Sequence, residues 1–278
     1  MLRYMDVQSR IRMPSLIAER GPFLIKFAET QEEVESALRL RYEVFNLEQG
    51  KGLKEADEKG IDSDEFDEFC LHLIVVEKSS RKAVGTYRIH LGPLLCSSLG
   101  FYSSREYEIR GLDEISGQLI EVGRSCVAPQ YRSGSVVALL WTGISEILFR
   151  SRMRYLFGCA SLESTDAAIA WTLYDKFRRD GALSETLSAK PAHGFALARP
   201  LFEQSRHLSE EEASQFIPPL LKGYLRIGAQ ICGEPACDKE FGTIDFLIML
   251  DRLRIPSRYG RHFKVQPMNA ESKTAVLT

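Results

Sequence analysis

The stretch LIEVGRSCV at residues 119–127, followed directly by APQYRSGS at residues 128–135, decides the fold of this chain. The first segment is rich in β-forming apolar residues and predicts a strand. The second contains small residues and leads into a helix predicted over residues 134–150, where apolar residues recur at helical spacing. A helix entered in this way has free backbone N–H groups at its start, which suit a phosphate group. The stretch therefore predicts a strand–turn–helix unit with a candidate anion site.

Two charged residues interrupt the predicted strand. In a regular strand Glu121 and Arg124 would point to opposite faces of the sheet. Gly123 lies between them, and a glycine inside a strand is a sign of a β-bulge. A bulge could turn both charged groups toward one cleft and free N–H groups to bind a developing oxyanion. The alternative is a strand edge with an ordinary surface ion pair, which the spacing alone favours.

The rest of the chain alternates strands and helices. The acidic stretch over residues 55–68 reads as a loop, and the strands at 71–77 and 83–91 predict a hairpin. The remaining elements are strands over residues 23–28, 155–160 and 243–250, and helices after Thr30, over 166–179 and over 210–230. This order predicts an α/β (α+β) protein built on one sheet, with an elaborated C-terminal half.

The first helix carries a buried cation. Arg41 falls inside the apolar stripe that includes Leu38 and Phe45. A guanidinium on a buried face needs carboxylates, carbonyls or a ligand, because an unpaired buried charge is very costly. Internal pairing and ligand binding both remain open at this point.

Composition limits the function classes. The net charge of −2 gives no overall attraction to nucleic acid. Six scattered cysteines indicate a reducing compartment, and no apolar run approaches the roughly 20 residues of a membrane span, so we expect a cytoplasmic protein. No zinc-ligand spacing, P-loop or dinucleotide fingerprint is present, so we expect no metal and no tightly bound cofactor.

Several motifs resemble a known superfamily. The turn from Pro129 to Arg132, followed by AWTLYDK at residues 170–176, resembles the acyl-donor loop and later helix of GNAT acyltransferases. Arg41-x-x-x-Phe45, Asp64-x-x-Asp67, GTYR at 85–88 and Glu121-x-x-Arg124 resemble acyl-homoserine-lactone synthases. LRYEVF at 40–45, EVGRSCV at 121–127, LKGYLRIG at 221–228, ICGEP at 231–235 and FGTIDF at 241–246 resemble bacterial ornithine-lipid acyltransferases.

The resemblance covers residues 23–263 and implies a GNAT-like fold with a central, twisted mixed sheet flanked by helices. The implied organisation is a basic extension over residues 1–20, the acyltransferase domain over 21–264 and a tail over 265–278. The implied reaction moves a (3-hydroxy) fatty acyl group from acyl carrier protein to the α-amino group of L-ornithine, giving lyso-ornithine lipid. Two alternatives stay open: another acceptor, such as glycine or S-adenosylmethionine, and a non-catalytic protein that binds lipid or acyl carrier.

Residue roles follow from the same resemblance. The amine needs a base, for which Glu121 is the candidate, while Arg124 would orient Glu121 or the acceptor carboxylate. Tyr174 would protonate the leaving thiolate. The acceptor pocket would be formed by Arg41, Phe45 and Arg88, with Asp64 and Asp67 holding a cationic side chain. The acyl donor would contact Cys126, Val127, Arg132, Gly134 and Ser135.

The expected partners follow from the donor turn and from local charge. The turn after Arg132 is one residue shorter than the usual GNAT loop, which fits a donor with a single phosphate, as in the phosphopantetheine arm of acyl carrier protein. Arginines cluster near predicted helix ends, at positions 150, 152, 154, 178 and 179. If they meet in space, they could dock acidic acyl carrier protein or an anionic inner membrane, so peripheral membrane contact is expected.

Overall fold

A computed structural model of the chain describes residue 14 and residues 16–53, 56–132, 134–200 and 208–257. The predicted tail over residues 265–278 lies outside this range, as does most of the predicted extension over 1–20. The last residues of that extension, Ala18–Arg20, form a strand of the main sheet. The main sheet therefore begins before residue 21, and the division into extension, domain and tail stays a prediction.

The strands are named in chain order. They are β1 (Ala18–Arg20), β2 (Phe23–Phe27), β3 (Leu71–Glu77), β4 (Ala83–Leu91), β5 (Tyr107–Arg110), β6 (Leu119–Val127), β7 (Tyr155–Leu162), β8 (Ser188–Pro191), β9 (Gln230–Ile231), β10 (Ala236–Asp238) and β11 (Thr243–Asp251). The predicted hairpin is confirmed as β3 and β4.

The α-helices are α1 (Gln31–Tyr42), α2 (Ala56–Lys59), α3 (Ser103–Glu106), α4 (Leu112–Ile115), α5 (Ser135–Ser151), α6 (Ala167–Arg179), α7 (Glu210–Gln215) and α8 (Pro219–Arg226). A π-helical turn, Glu43–Glu48, extends α1, and the 3-10 helices are Glu65–Glu68, Gly92–Ser97, Ser116–Gln118, Pro129–Tyr131 and Arg252–Arg254. Among the helices in the described ranges, none has the length and apolarity needed to cross a bilayer.

One mixed sheet organises the molecule. Its strand order is β1-β2-β3-β4-β6-β7-β11-β10, with β9 also paired to β11. The β6–β7 pair is parallel, whereas β6 pairs antiparallel with β4 and β7 pairs antiparallel with β11. The predicted mixed sheet flanked by helices is confirmed.

The two faces of the sheet bury different layers. Side chains of α5 and α6, together with α8, pack with Tyr87, Val122 and Ile248 in the largest apolar core. On the opposite face α1 covers Ile74 and Cys126, and a second cluster forms around Tyr107, Phe157 and Leu247. Residues of the small β5–β8 ribbon belong to that second cluster. Each strand therefore sends alternate side chains into different surroundings.

Two segments differ from the prediction. The helix expected over residues 210–230 is two shorter helices, because Pro218 and Pro219 remove backbone donors and favour a break before α8. The acidic segment expected to be a loop contains α2 and the 3-10 turn Glu65–Glu68, which Asp64 and Asp67 cap reciprocally.

Strands β6 and β7 form a fork in the sheet. They pair in register only from Leu119 opposite Tyr155 to Glu121 opposite Phe157. Just beyond that point, Gly158 approaches the backbone of Val122 so closely that a Cβ at residue 158 would lie 2.2 Å from the carbonyl oxygen of Val122. The pairing ends there, and an opening through the sheet begins.

We expect Gly158→Ala to destabilise the fold by about 1–3 kcal/mol, because the added methyl group meets fixed backbone rather than a movable side chain. Gly123→Ala is the matched control, since a Cβ at residue 123 of the neighbouring strand meets no atom within 4 Å. The free energy of unfolding from urea titrations measures both variants. Equal stability of the two variants would contradict the close approach at the fork.

Candidate active site

A cavity of about 260 Å³ lies at the fork. Strand β6 contributes residues 121–125 to its wall and β7 contributes residues 158–161. Because the two strands no longer pair there, the cavity takes side chains from both faces of the sheet.

The two ends of the cavity differ in polarity. Val122, Leu221, Tyr224 and Ile248 belong to the large apolar core and form one end. The other end is lined by polar groups on the face of the second cluster: Arg88, His90, Glu106, Glu121, Cys159 and Asp245. The fork can therefore bring an apolar molecule and a polar one together from opposite sides of the sheet.

Glu121 is buried at the polar end. Its carboxylate accepts hydrogen bonds from the Tyr102 N–H (2.8 Å) and from the N–H and hydroxyl of Ser103 (both 2.7 Å), at the start of α3. Burial raises the pKa of Glu121, although these three donors and Arg88 favour its charged form. Glu121 is thus a fixed carboxylate whose proton affinity exceeds that of an ordinary glutamate, and it lines the cavity.

The predicted bulge is present. Thr86 lies opposite Cys126 and Arg88 opposite Gly123, so Arg124 and Ser125 together face Tyr87 alone. Arg124, rather than Gly123, takes the left-handed backbone conformation, with φ of +48°. This conformation is uncommon for a residue with a side chain. Both Glu121 and Arg124 line the cavity, as the bulge predicted.

A buried network of arginines and aspartates supports the polar end. Arg41, which is 1% exposed, donates to Asp62 (2.7 Å) and to Asp67 (2.7 and 3.2 Å). Arg88 donates to Asp64 (2.5 Å) and Asp67 (3.3 Å), and Arg124 donates to Asp64 (3.1 Å). Three arginines thus face three aspartates, and although burial opposes it, Arg41 and Arg88 hold the pKa of Asp67 far below its usual range.

This network corrects the predicted acceptor pocket. Asp64 and Asp67 were predicted to hold a cationic substrate group, but their charges are already balanced by arginines. Arg41 was predicted to line the pocket, yet it lies behind the cavity wall and pairs internally. Arg88 and Phe45 do line the cavity.

The predicted donor turn lies at the start of α5. The guanidinium of Arg132 donates to the Val127 carbonyl (3.1 Å) and forms a bidentate pair of hydrogen bonds with the Glu48 carboxylate (2.7 and 2.6 Å). Gly134, at the N-cap position, has φ of +89° and no side chain that could cap the first turn of the helix, which begins at Ser135. Gly134 therefore leaves the N–H groups of this turn without an N-cap side chain, and binding of an anion there stays a prediction.

Three other predicted residues do not line the cavity: Cys126, Val127 and Tyr174. Cys126 packs under α1, where burial raises the pKa of its thiol to about 12 and keeps it protonated. Tyr174 contacts Trp171 edge-on instead. The tyrosines at the apolar end of the fork are Tyr87 and Tyr224, whose hydroxyls lie 3.3 Å apart.

The sequence reasoning missed several polar residues of the site. His90 lies opposite Glu121 across β4 and β6, and its buried ring nitrogens have no hydrogen-bond partner among the described residues. Burial, helped by Arg88, lowers the pKa of His90 to about 4, so the ring is neutral at pH 7. Asp62, Glu106, Asp238 and Asp245 were also missed. Asp245 did carry a signal, because it is a carboxylate inside an otherwise apolar strand.

Most of the arginines predicted to form a docking surface have carboxylate partners. Arg150 pairs with Glu146, Arg154 with Asp251, and Arg179 with Glu210. Docking of acyl carrier protein or of an anionic membrane on these arginines stays a prediction.

Comparison with known proteins fits this geometry. Residues 40–142 match the sequence model of the acetyltransferase (GNAT) domain family. The L-ornithine N(alpha)-acyltransferase of Brucella abortus (strain 2308) is 34% identical over 258 residues, which cover 89% of this chain and 91% of that protein. The enzyme of the same name from Agrobacterium fabrum is 32% identical, covering 89% of this chain and 87% of that one.

The solved structures that match this chain have lower sequence identity. An N-acyl amino acid synthase from uncultured soil microbes has a TM-score of 0.44 and 11% identity, over 82% of this chain and 91% of that one. A CoA-dependent acyl-homoserine lactone synthase has a TM-score of 0.43 and 16% identity, over 84% of this chain and 83% of that one.

The sheet, its fork and the sequence matches define the class: this protein is an N-acyltransferase with the GNAT fold. Within that class, the identity over nearly the whole chain is specific. The chain belongs to the L-ornithine N(alpha)-acyltransferase family.

We expect Arg41→Met to lower the free energy of unfolding by about 3–5 kcal/mol at pH 7, because it leaves two buried aspartates without their main partner. Asp67 has a depressed pKa in the fold, so its contribution is complete above the unfolded value of about 3.9 and is lost as the pH falls below it. The difference in unfolding free energy between Arg41→Met and the unsubstituted protein should therefore become smaller at low pH.

Arg39→Met, on the same helix, is the control. Arg39 has a side chain that is 59% exposed and lies 3.9 Å from Glu35, so its loss should change stability by no more than about 0.5 kcal/mol. Urea titrations at pH 7 and at about pH 2.5, below the unfolded value of an aspartate, measure both variants. Equal effects of the two substitutions would show that the buried network does not support the fold.

Proposed function

We propose that this protein transfers a 3-hydroxy fatty acyl group from acyl carrier protein to the α-amino group of L-ornithine, giving a lyso-ornithine lipid. Four relatives at 28–34% identity carry the name L-ornithine N(alpha)-acyltransferase, which supports ornithine as the acceptor. The observation that carries the proposal is the cavity at the fork, with an apolar end and a polar end.

The two ends match the two substrates. A fatty acyl chain favours the end formed by Val122, Leu221 and Tyr224, because burying apolar surface there removes it from water. A zwitterionic amino acid favours the end that contains Arg88, Glu121 and Arg124. The phosphate of the donor arm would lie near Arg132 and the start of α5, outside the cavity.

The proposed reaction forms one amide bond and breaks one thioester bond. The α-amino group loses a proton to Glu121, directly or through one water, and its nitrogen attacks the thioester carbonyl carbon. N–H groups of the bulged segment Gly123–Ser125 would bind the oxyanion of the tetrahedral intermediate. The C–S bond then breaks, the nitrogen of the intermediate loses its second proton, and the thiolate takes up one proton. Of the two protons lost by the α-ammonium group, one ends on the thiol and the other passes from Glu121 to solvent, so that charge and atoms balance. Tyr174 is not assigned to this last step, because it does not line the cavity.

We expect purified protein to convert L-ornithine and 3-hydroxyacyl carrier protein into N-acyl-ornithine, detected by mass spectrometry. Glu121→Gln should lower kcat by about 100-fold or more, because an amide cannot accept the proton. Glu114→Gln, an exposed change close to β6 in sequence, is the control and should keep full activity. If another amine is acylated, that amine replaces ornithine as the proposed acceptor. If no amino acid in a mixed pool is acylated, the transferase proposal is refuted.

A second prediction concerns the donor. Arg132→Ala should raise the KM for acyl carrier protein about 10-fold and leave the KM for ornithine unchanged, because a charge-assisted contact to phosphate is lost. Glu48→Gln should have the opposite effect, lowering the donor KM by up to about 5-fold, because it releases Arg132 from an exposed ion pair. Steady-state kinetics with each substrate varied in turn test both changes. If only the KM for ornithine changed, the donor would bind at a different site from the one proposed.

A further inference from the structure

Three carboxylates that the reaction leaves unused meet at the polar end of the cavity. Glu106 ends α3, Asp238 ends β10 and Asp245 lies in β11; these are the carboxylate cluster. Carboxylate oxygens of the three residues lie within 4.8 Å of one another. The residues are 3%, 7% and 3% exposed, respectively, and all three line the cavity.

The cluster lacks a donor at one position. Asp238 accepts from the N–H groups of Glu240 (2.8 Å) and Phe241 (2.9 Å), and Asp245 accepts from the hydroxyls of Ser161 and Thr243. Glu106 Oε2 is buried and has no hydrogen-bond partner among the described residues. A buried carboxylate oxygen without a donor is costly, so this atom is available to a donor that enters the cavity.

The cluster also lacks a cation. Within the described ranges, no arginine or lysine forms an ion pair with Glu106, Asp238 or Asp245, whereas the aspartates near Arg88 are fully matched. Lys51, on the cavity wall, acts on Asp245 from beyond ion-pair distance. Burial and mutual repulsion raise the pKa of Glu106 well above its usual value and that of Asp245 to about 6. A bound cation would remove this repulsion.

We propose that the carboxylate cluster binds the side-chain ammonium group of the acceptor and so selects amino acids with a second, cationic amine. The proposal rests on the proposed function and adds its specificity site. A primary ammonium has three N–H donors, which match three carboxylates including the unpartnered Oε2 of Glu106. The neutralised Asp64 and Asp67 cannot supply this attraction.

The spacing of the site supports this assignment. Ser103, which holds the proposed base Glu121, and Glu106 are the two ends of α3. Residues three apart on a helix have Cβ atoms about 5–6 Å apart. The two amines of ornithine, joined by four carbon atoms, are roughly 6 Å apart when extended, from standard bond lengths near 1.5 Å. The proposal places one amine at Glu121 and the other at Glu106, which line the same cavity.

The experiment compares L-ornithine with L-norvaline, which has the same carbon chain but no δ-amine. With the same acyl donor, we expect kcat/KM to favour ornithine by at least about 100-fold, because norvaline leaves the buried carboxylates unpaired. In Glu106→Gln and in Asp245→Asn this ratio should fall at least about 10-fold, mainly through a higher KM for ornithine. Glu108→Gln, on the exposed side of β5, is the control and should keep the ratio.

The outcomes separate the two proposals. Equal use of ornithine and norvaline by the unsubstituted protein would overturn the ammonium site and leave the transferase proposal intact. The same holds if both carboxylate variants keep the ratio, or if EDTA abolishes the ornithine preference and Mn²⁺ restores it, which would make the cluster a metal site. If ornithine is not acylated at all, calorimetric binding of the two amino acids still tests the cluster: a preference for ornithine that Glu106→Gln removes supports it, and equal binding overturns it.

Thermal unfolding shows whether each variant still folds. The melting temperature of Glu106→Gln should be unchanged or higher, because Oε2 has no donor to lose and the amide cannot take a charge that burial opposes. If Glu106→Gln does not fold, Asp245→Asn carries the test, because its remaining oxygen can still accept from the Ser161 or Thr243 hydroxyl.

Discussion

Strands β6 and β7 stop pairing after Glu121 and Phe157, where Gly158 lies against the Val122 carbonyl, and the cavity opens at this point. A sheet that stayed paired would separate its two faces completely. The fork instead joins the apolar core under α8 to a polar region on the other face. Amide formation between a lipid thioester and an amino acid needs such a place, because the two reactants are stable in opposite surroundings.

Charge at the polar end is divided between two groups of carboxylates. Asp62, Asp64 and Asp67 are matched by arginines, and this network stiffens the wall that includes Arg88 and Arg124. Glu106, Asp238 and Asp245 have no such partners among the described residues. The first group therefore stabilises the fold, and the second keeps uncompensated negative charge that a substrate cation can neutralise. Burial is similar in both groups, so only the location of the cations separates them.

The β-bulge connects this electrostatic arrangement to the chemistry. Without the extra residue opposite Tyr87, Glu121 and Arg124 would lie on opposite faces of β6. The left-handed backbone of Arg124 turns its guanidinium toward Asp64 and over the ring of Phe241. Helix α3 then fixes the carboxylate of Glu121 with three donors. The bulge therefore positions Arg124 and helix α3 positions Glu121, and the two elements meet at the fork.

The sequence by itself determined the local structure and the main chemistry. Two β-rich runs joined by a polar turn predicted the β3–β4 hairpin, and apolar residues at helical spacing predicted α5. The glycine in EVGR predicted the bulge, and Arg41 in an apolar stripe predicted a buried charge that needs partners. Tertiary structure alone decided which charges pair. It assigned Asp64 and Asp67 to arginines and brought Glu106, Asp238 and Asp245 together from three distant segments. The physical reason is that local preference depends on neighbours in sequence, whereas the ionisation and pairing of a buried charge depend on every group that folding places within a few ångströms.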